Sequence, residues 1–390
     1  MHTTMATRAS LVGGSLLLLL LLLQLVVLCP VLGAPQCKNP NGKDVDWYIV
    51  YNLPLTSNVE SSFNTKGDEL AYVDSSMKNA KGFKLLNSTV NDVKGNPFAL
   101  TLADLFKGKK INDSLYVVYN DQPPEPYNGT AKGHTKGVVQ FSEDGGYWLM
   151  HSVPRFPFNV GSKKFEFPES GRNNGQVFMC MSFKGDQLPR IAAALRQQYP
   201  YIYESGAPKR MLNNTEIKLL MERKFVRRPE GPVLIETLVG VSGTKFQSFA
   251  KHQSADDEIF SNIIAPKLGV GMLVATWQNG AGGKLGPTCP VNGVAVSNMA
   301  NVVINFSDKR KIVFRSTENH AKWSVSTDPS KPWFCNSSLN RMLSQFRRGG
   351  QTTCIQDPVL HGLFTSAVEK CEMCDRPGVE MGYCKERVNG

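Results

Sequence analysis

The sequence contains one short motif, His-x-Lys, twice, at His134–Lys136 and at His320–Lys322, 186 residues apart. In an extended strand, residues i and i+2 point to the same face, so each motif presents an imidazole and an ammonium group together. If both motifs serve one purpose, the chain must fold so that two distant segments meet. The repetition therefore favours two similar halves that share a single site. The alternative is that both motifs are surface-strand residues with no common role.

Apolar segments occur in two successive sets, separated by a polar, basic stretch near residues 205–230. In the first set, the strand-like segments are VDWYIVYNLP, SLYVVYND, GHTKGVVQF, GGYWLMHSVP and GQVFMCMSF, whereas GDELAYVDSS indicates a hairpin or edge and DQLPRIAAALRQQYPYIYE a helix. In the second set, VLIETLVG, GMLVATWQNG, NVVINFS and KIVFRST are predicted as strands and SADDEIFSNIIAPKLG as a helix. PWFCNSSLNRMLSQFRRGG indicates a loop entering a helix that stops at the glycines.

This alternation predicts an α/β or α+β protein with two similar halves. The predicted organisation is a signal peptide at 1–33, an N-terminal half at 34–215 and a C-terminal half at 216–390 with a cysteine-rich tail. In the signal segment, Arg8 precedes a leucine-rich run and a small-residue exit, and we expect cleavage after Gly33 or Ala34. An uncleaved membrane anchor is the alternative, since the run is close to spanning length. We favour cleavage and expect no stable membrane insertion afterwards.

Eight cysteines remain after the signal segment, and an even number in a secreted chain favours disulfides. Cys371 and Cys374 form a C-x-x-C pair, but no second pair or nearby histidine completes a zinc site, so we expect no metal. Six N-x-S/T sequons also indicate a glycoprotein of the secretory route, at Asn87, Asn112, Asn128, Asn213, Asn305 and Asn336.

The net charge of +11 suggests an anionic partner, such as nucleic acid, anionic lipid or an acidic glycan. A solvated basic surface is an equal alternative from charge alone. The basic segments FVRRPEGP and QFRRGG could contact phosphates, although solvated loops are the more common reading of such clusters.

Two histidines and two lysines at one site suit the hydrolysis of a phosphodiester. The lysines would neutralise the non-bridging oxygens, while one histidine attacks phosphorus and the other, protonated, donates to the leaving oxygen. This chemistry requires neither a metal ion nor another cofactor. An acidic optimum follows, because one imidazole must carry a proton.

Several longer strings resemble the deoxyribonuclease II family of acid DNases: VDWYIVYNLP, VVYNDQPP, GHTKGVV, DGGYWLMHSVPRFP, FQSFAK and NHAKWSVS. They extend from about residue 37 to 355. The resemblance implies a phospholipase D-like pseudo-dimer, in which each half is a mixed sheet flanked by helices. It also implies metal-independent endonucleolytic cleavage of double-stranded DNA at acid pH, leaving 3′-phosphate and 5′-hydroxyl ends. The implied catalytic residues are His134 as nucleophile, His320 as general acid, and Lys136 and Lys322.

The resemblance adds two further candidate site residues, His151 in MHSVP and Asn340 in SSLNR. A structural histidine in a buried strand and a helix cap are the respective alternatives. Phospholipase D-like motifs continue with an aspartate five residues after the lysine, but this chain has Phe141 and Thr327 there, so the partner of each histidine is open. The resemblance also implies the disulfides Cys37–Cys180 and Cys335–Cys354, with Cys289 joined to Cys371 or Cys374.

The sequence therefore predicts an acid endodeoxyribonuclease, lysosomal or secreted, whose partner is double-stranded DNA. It identifies no protein partner and leaves the oligomeric state open. Two rival functions are a lipid phosphodiesterase on the same fold and a secreted, catalytically silent DNA-binding or toxin-like protein.

Overall fold

The structure is a computed structural model. It describes residues 33–107, 113–129, 131–158, 160, 164–289, 294–372, 374, 384 and 386–388. Pro35–Gly390 form one compact unit. Apart from Gly33, the predicted signal peptide lies outside the described residues, so its cleavage stays a prediction.

Ten strands come from the N-terminal part of the chain, mostly as short runs of β-branched and aromatic residues bounded by turn-forming residues. Eight of them form one antiparallel sheet in the order β10-β6-β7-β8-β9-β1-β4-β5, while β2 and β3 pair with each other. Their bounds are β1 Trp47–Asn52, β2 Leu55–Thr56, β3 Thr65–Lys66, β4 Glu69–Asp74, β5 Lys84–Thr89, β6 Leu115–Asn120, β7 Lys136–Phe141, β8 Gly145–His151, β9 Gln176–Lys184 and β10 Ile202–Gly206.

The later part of the chain forms a second, mixed sheet in the order β11-β12-β19-β18-β17-β13-β14-β20-β21, plus the hairpin β15–β16. The pairs β13–β14 and β20–β21 are parallel. The bounds are β11 Val233–Val239, β12 Lys245–Lys251, β13 Met272–Ala275, β14 Val296–Met299, β15 Asn301–Asn305, β16 Lys311–Arg315, β17 Trp323–Ser326, β18 Trp333–Ser337, β19 Gly350–Gln356, β20 Lys370–Glu372 and β21 Glu386–Val388.

The helices are few and short, and local side chains fix where three of them begin. Asn96, Asn214 and Asp357 each accept hydrogen bonds from backbone N–H groups of the first turn that follows, which would otherwise lack partners. The helices are α1 Pro97–Leu102, α2 Leu188–Gln198, α3 Thr215–Met221, α4 Ala265–Leu268, which a π-helical turn precedes, and α5 Pro358–Thr365.

The two sheets share an order of five strands. In the first sheet the order is β6-β7-β8-β9-β1, and in the second it is β13-β17-β18-β19-β12, with every neighbouring pair antiparallel. The strands in matching positions also follow each other in the same chain order, and α2 and α5 follow the matching strands β9 and β19. The mixed α/β class is therefore confirmed, whereas the pseudo-dimeric relation of the halves stays a prediction. Parallel pairing occurs in the second sheet and not in the first.

One apolar cluster extends over both sheets, so the two parts of the chain share a core. The rings of Phe183 in β9 and Phe246 in β12 pack edge to face at 5.6 Å. The buried indole of Trp323 in β17 donates its N–H to the hydroxyl of Tyr51 in β1, at 3.4 Å. A shared core makes the relative position of the two sheets a rigid property of the fold.

Four disulfides join the eight cysteines, and they confirm the pairing that the resemblance implied. Cys289 pairs with Cys374, so Cys371 is left to pair with Cys384. The C-x-x-C pair is thus divided between two disulfides.

The segment GDELAYVDSS contains β4, which pairs antiparallel with the next strand, β5, so the hairpin alternative of its prediction is present. Two predictions of local structure were wrong. The helix predicted over DQLPRIAAALRQQYPYIYE ends at Gln198, and Ile202–Gly206 forms the strand β10 instead. The segment after β18 forms only a 3-10 turn at Leu343–Gln345, not a helix that stops at the glycines. Its backbone groups bind tertiary partners instead, because the N–H groups of Leu343 and Ser344 donate to Gly283 and Gly282.

The sequons differ in exposure. Asn87, Asn128 and Asn213 are exposed and Asn305 is half-buried, whereas Asn112 lies outside the described residues. The side chain of Asn336 is 1% exposed within β18, so the folded protein has no room for a glycan there. Within the described residues, no helix has the length and apolar character required to cross a bilayer.

We predict that the Cys37–Cys180 disulfide stabilises the fold more than Cys335–Cys354 does, because it closes 143 residues instead of 19. The loop-closure relation gives a difference of about 2 kcal/mol. Paired alanine substitutions make a matched test, since all four cysteines are fully buried. Urea unfolding should give the lower free energy of unfolding for Cys37→Ala/Cys180→Ala, and the reverse order would contradict the prediction.

Candidate active site

The two His-x-Lys motifs lie at the beginnings of β7 and β17, the strands in matching positions of the two sheets. Lys136 is the first residue of β7, and Lys322 directly precedes β17. The motifs are therefore at strand ends rather than within strands. Residues from both line one crevice with about 160 Å³ of empty space: His134, Thr135, Lys136, His151, Ser152, Lys322 and Ser338.

Backbone hydrogen bonds hold each motif against the other half of the chain. The N–H of His134 donates to Gly349, just before β19, and the N–H of His320 donates to Gly175, just before β9, both at 2.8 Å. The strands β9 and β19 occupy matching positions in the two sheets. Each motif therefore bonds to the residue before the matching strand of the other half. A side chain at Gly349 would place its Cβ 2.0 Å from the Gln198 carbonyl oxygen, so this approach requires glycine.

A glutamine orients the imidazole of His134. Its Nδ1 lies 2.7 Å from Oε1 of Gln345, which is in the 3-10 turn before β19. An amide oxygen accepts hydrogen bonds, so Nδ1 carries the proton and the lone pair of the neutral ring is on Nε2. His134 is thus held in the tautomer that a nucleophile needs.

Groups from the N-terminal part of the chain orient the imidazole of His320 in the same way. Its Nδ1 lies 2.9 Å from the carbonyl oxygen of Ser152 and 3.2 Å from Oε1 of Gln176. A carbonyl oxygen can only accept, so Nδ1 is the donor, and the lone pair of the neutral ring is on Nε2, which faces the ammonium of Lys322 at 3.4 Å. The indole of Trp277 packs edge to face against the ring at 5.3 Å.

Lys136 forms a buried ion pair with Asp121, and both side chains are about 5% exposed or less. Asp121 also accepts a hydrogen bond from Arg348 at 3.0 Å. Burial alone would raise the pKa of Asp121, but Lys136, His134 and Arg348 hold it well below its ordinary value. The carboxylate therefore stays charged at acid pH and balances part of the site's positive charge.

The ammonium of Lys322 donates to the carbonyl oxygen of its own motif's His320 at 2.6 Å and lies 3.4 Å from Nε2 of that ring. Burial lowers the pKa of Lys322 well below its ordinary value, and the nearby Lys136 lowers it further. Lys136 has Asp121 as its counter-ion, whereas no ion pair with Lys322 occurs among the described residues, so the two lysines together keep an excess positive charge that favours the binding of an anion.

Burial lowers the pKa of both His134 and His320 well below 6.5. For His134 the neighbouring Asp121 opposes this shift, while the lysines of both motifs reinforce it. For His320 the largest effect after burial is the charge of Lys322, followed by that of Lys136, and both lower the pKa further. Both rings are consequently neutral near neutral pH, and protonation of either requires acid or a bound anion.

A buried lysine supports the segment that carries Gln345 and Arg348. The ammonium of Lys251, at the end of β12, donates to the carbonyl oxygens of Gln345, Phe346 and Arg348. Burial lowers its pKa to about 8, and the acidic residues Asp256, Asp257 and Glu258 oppose the change. Lys251 is therefore charged at acid pH, where it fixes the turn between β18 and β19.

His151 ends β8 and lines the crevice, but neither ring nitrogen has a hydrogen-bond partner among the described residues. Its ring packs against Phe156 and Phe178. Burial, with a contribution from Lys136, lowers its pKa to about 3, although the nearby Val153 backbone opposes the shift. A buried polar ring without a partner, at the wall of a cationic crevice, has capacity to bind a ligand.

Asn340 lies in the segment between β18 and the 3-10 turn, and it does not cap that turn, whose N-cap is Met342. It is not among the residues that line the crevice. Its Oδ1 is buried without a hydrogen-bond partner among the described residues. Of the other five candidates, His134, Lys136, His151 and Lys322 line the crevice, and His320 contacts two of its lining residues, Ser152 and Lys322.

Sequence reasoning missed the groups that orient the motifs: Ser152, Gln176, Asp121, Gln345, Arg348 and Lys251. Two of them are glutamines, and they orient the histidines where the sequence offers no aspartate five residues after either lysine. Asp121 and Lys251 lie in VVYNDQPP and FQSFAK, two of the strings that carry the resemblance. Those strings could therefore have indicated that the two residues belong to the site. Arg348 belongs to QFRRGG, and its bonds to Asp121 and the Lys132 carbonyl show that it is not a solvated loop residue.

Within the described residues, no three His, Cys, Asp or Glu side chains form a group that could hold a metal ion. The charged groups of the crevice are instead two lysines and a carboxylate paired with one of them. What the arrangement can supply is positive charge, the two imidazoles of His134 and His320, each held through Nδ1, and the buried imidazole of His151.

Comparison with known proteins agrees with the resemblance carried by the motifs. A family model described as Deoxyribonuclease II matches residues 36–374. Plancitoxin-1 from Acanthaster planci is 33% identical over 359 residues, covering 90% of this chain and 97% of its own. Deoxyribonuclease-2-alpha from Rattus norvegicus is 33% identical over 87% of this chain and 95% of its own. Deoxyribonuclease-2-beta from Homo sapiens is 33% identical, over 88% and 93%. The chain belongs to the deoxyribonuclease II family.

Proposed function

We propose that this protein is an acid endonuclease that hydrolyses double-stranded DNA without a metal ion, leaving 3′-phosphate and 5′-hydroxyl ends. As a member of the deoxyribonuclease II family it is a deoxyribonuclease, with DNA as its substrate. The observation that carries the finer proposal is the meeting of both His-x-Lys motifs at one crevice, each histidine held through Nδ1.

In the first step, Nε2 of His134 attacks the phosphorus atom of the scissile phosphodiester. The bond from phosphorus to the 5′-oxygen breaks, and the 3′-phosphoryl group becomes attached to His134. Protonated His320 gives its Nε2 proton to the departing 5′-oxygen, which leaves as a hydroxyl. Lys136 and Lys322 stabilise the charge on the non-bridging oxygens throughout.

In the second step, water replaces His134 on phosphorus. Neutral His320 accepts a proton from that water, so the general acid of the first step becomes the general base of the second. The P–N bond to His134 breaks, releasing a DNA end with a 3′-phosphate. Both histidines return to their starting protonation states, and no further reactant is needed.

His151 contributes as a neutral group, because a pKa of about 3 keeps its ring uncharged at the acid pH of the reaction. A neutral imidazole has one N–H donor, and we assign that donor to a non-bridging phosphate oxygen. We retain Asn340 as a proposed orienting residue that acts once substrate is bound, on the basis of its unpartnered Oδ1.

We assign the protein to the secretory pathway, with a lysosomal or extracellular destination. The four disulfides support an oxidising compartment. The exposed sequons at Asn87, Asn128 and Asn213 are suitable glycan acceptors.

We predict that the wild type nicks supercoiled plasmid in EDTA at about pH 5, and that His134→Ala and His320→Ala each lose at least about 100-fold in rate. His361→Gln is the matched control, since His361 is a buried histidine that bonds Ser326 outside the crevice. Products that accept phosphate from polynucleotide kinase directly would carry 5′-hydroxyl ends. If either alanine variant cleaved as fast as the wild type, the two-motif mechanism would be wrong. If the wild type left the plasmid intact, a lipid substrate or DNA binding without cleavage would be the better hypothesis.

We predict that the cleavage rate rises about tenfold for each unit that the pH falls below neutrality, until it reaches the pKa of His320. Only the imidazolium form donates to the leaving oxygen, and burial with Lys322 lowers that pKa, so the active fraction grows in acid. Initial nicking rates between about pH 4 and 8, at constant ionic strength, measure the profile. A rate independent of pH over this range would contradict a histidine acid.

We predict that Lys251→Met lowers kcat about tenfold or more with little change in KM, because three carbonyl oxygens of the segment that positions Gln345 and Arg348 lose their shared donor. Lys245→Met is the control, since Lys245 is exposed at the other end of the same strand. Lys251→Arg should restore part of kcat. Equal kinetics for the two methionine variants would show that Lys251 does not position the site.

A further inference from the structure

A second cavity of about 880 Å³ lies beside the first motif, and basic and aromatic side chains line it. Its basic residues are Lys132, Arg223, Lys224 and Arg227, its aromatic residues are Tyr199, Tyr201 and Phe225, and no carboxylate is among the residues that line it. We call it the basic aromatic pocket. Its size is typical of a site for one small organic group, and its charge selects an anion.

Hydrogen bonds hold the walls of the basic aromatic pocket in place. The N–H of Val226 donates to the carbonyl oxygen of Arg196 in α2, whose guanidinium donates to the carbonyl oxygen of Lys224 at 2.8 Å. The carbonyl oxygen of Val226 also lies 3.0 Å from Nε2 of His252. The pocket is therefore formed before any ligand binds, which limits the ordering cost of binding.

Rings and a cation converge at the end of the pocket near the crevice. The ammonium of Lys132 lies 3.8 Å from the centre of the Tyr199 ring, and the Phe225 ring packs edge to face against Tyr199 at 4.9 Å. Tyr199 and Arg223 both have left-handed backbone conformations, with φ of 60° and 54°. Such conformations are unfavourable for residues other than glycine and are often retained at functional sites.

The pocket is joined directly to the candidate active site. Lys132 is two residues before His134, so their Cα atoms are at most about 7 Å apart. Between them, the N–H of Gly133 donates to the Tyr199 carbonyl oxygen, and Arg348 donates to both the Lys132 carbonyl oxygen and Asp121.

We propose that the basic aromatic pocket binds an unstacked nucleotide of the substrate strand next to the scissile phosphate, an inference that rests on the proposed function. The base would stack on Tyr201 or Phe225, and the adjoining phosphates would lie against Lys132, Lys224 and Arg227. Base–aromatic stacking is tolerant of sequence because every base has a π-face. Holding a flanking nucleotide here fixes the phosphodiester in the crevice and separates the strand to be cut.

Binding of a short labelled oligothymidine, measured by fluorescence anisotropy in a His134→Ala background, tests the stacking. Tyr201→Leu and Phe225→Leu should each raise Kd about tenfold, whereas Tyr201→Phe, which keeps the ring, should stay within about twofold. A strand of the same length without bases should bind all these variants alike. Equal losses for strands with and without bases would overturn the stacking.

The phosphate contacts are tested with Lys224→Ala/Arg227→Ala in the same background. Removing two contacts to a single strand should reduce the slope of log Kd against log salt by about 1.4. Lys78→Ala/Lys81→Ala is the matched control, because these exposed lysines carry the same charge and lie away from the pocket. An unchanged slope in the pocket variant would overturn the proposal.

These binding measurements do not depend on cleavage, so the two proposals fail separately. If the wild type does not nick plasmid in EDTA but the pocket substitutions weaken oligonucleotide binding, the proposed mechanism fails and the proposed pocket stands. If nicking is normal but no pocket substitution changes binding, the proposed pocket fails and the mechanism stands.

Discussion

The buried carboxylate of Asp121 is the interaction on which the site depends. It pairs with Lys136 from its own half and with Arg348 from the segment before β19, so it joins the two parts of the chain at the crevice. Burying lysines and a guanidinium together is unfavourable unless an anion compensates them. Asp121 compensates only part of that charge, and the remainder is available to a phosphate.

Neutral groups do the rest of the positioning. Carbonyl and amide oxygens hold Nδ1 of both histidines, where other hydrolytic sites use a carboxylate. A carboxylate partner would raise the pKa of an imidazole, whereas an amide oxygen orients the ring and adds no charge. Burial and the neighbouring lysines lower the pKa of both histidines, and their uncharged partners do not oppose that effect. An acid optimum is consistent with this arrangement.

The crevice and the basic aromatic pocket differ in size. Measured in the same way, the empty space is about 160 Å³ in the crevice and about 1590 Å³ in the pocket. In the proposed complex, the scissile phosphate lies at the crevice and a neighbouring base and sugar lie in the pocket. Both are bounded by the segments that carry Lys132, His134 and Arg348. Their separation is fixed because both sheets share one apolar core.

The sequence by itself determined the mixed α/β class and most strands, because apolar periodicity is a local property. Its longer strings also indicated the family that the matching family model shows. The sequence did not determine Gln176 and Gln345 as partners of the histidines, since each partner lies more than 140 residues from its histidine along the chain. The turn after β18 was mispredicted as a helix for the same reason: Lys251, Gly282 and Gly283 satisfy its backbone groups. Only the tertiary structure decided which charges are buried together, and burial is what lowers the pKa values of the histidines and makes a basic crevice specific for an anion.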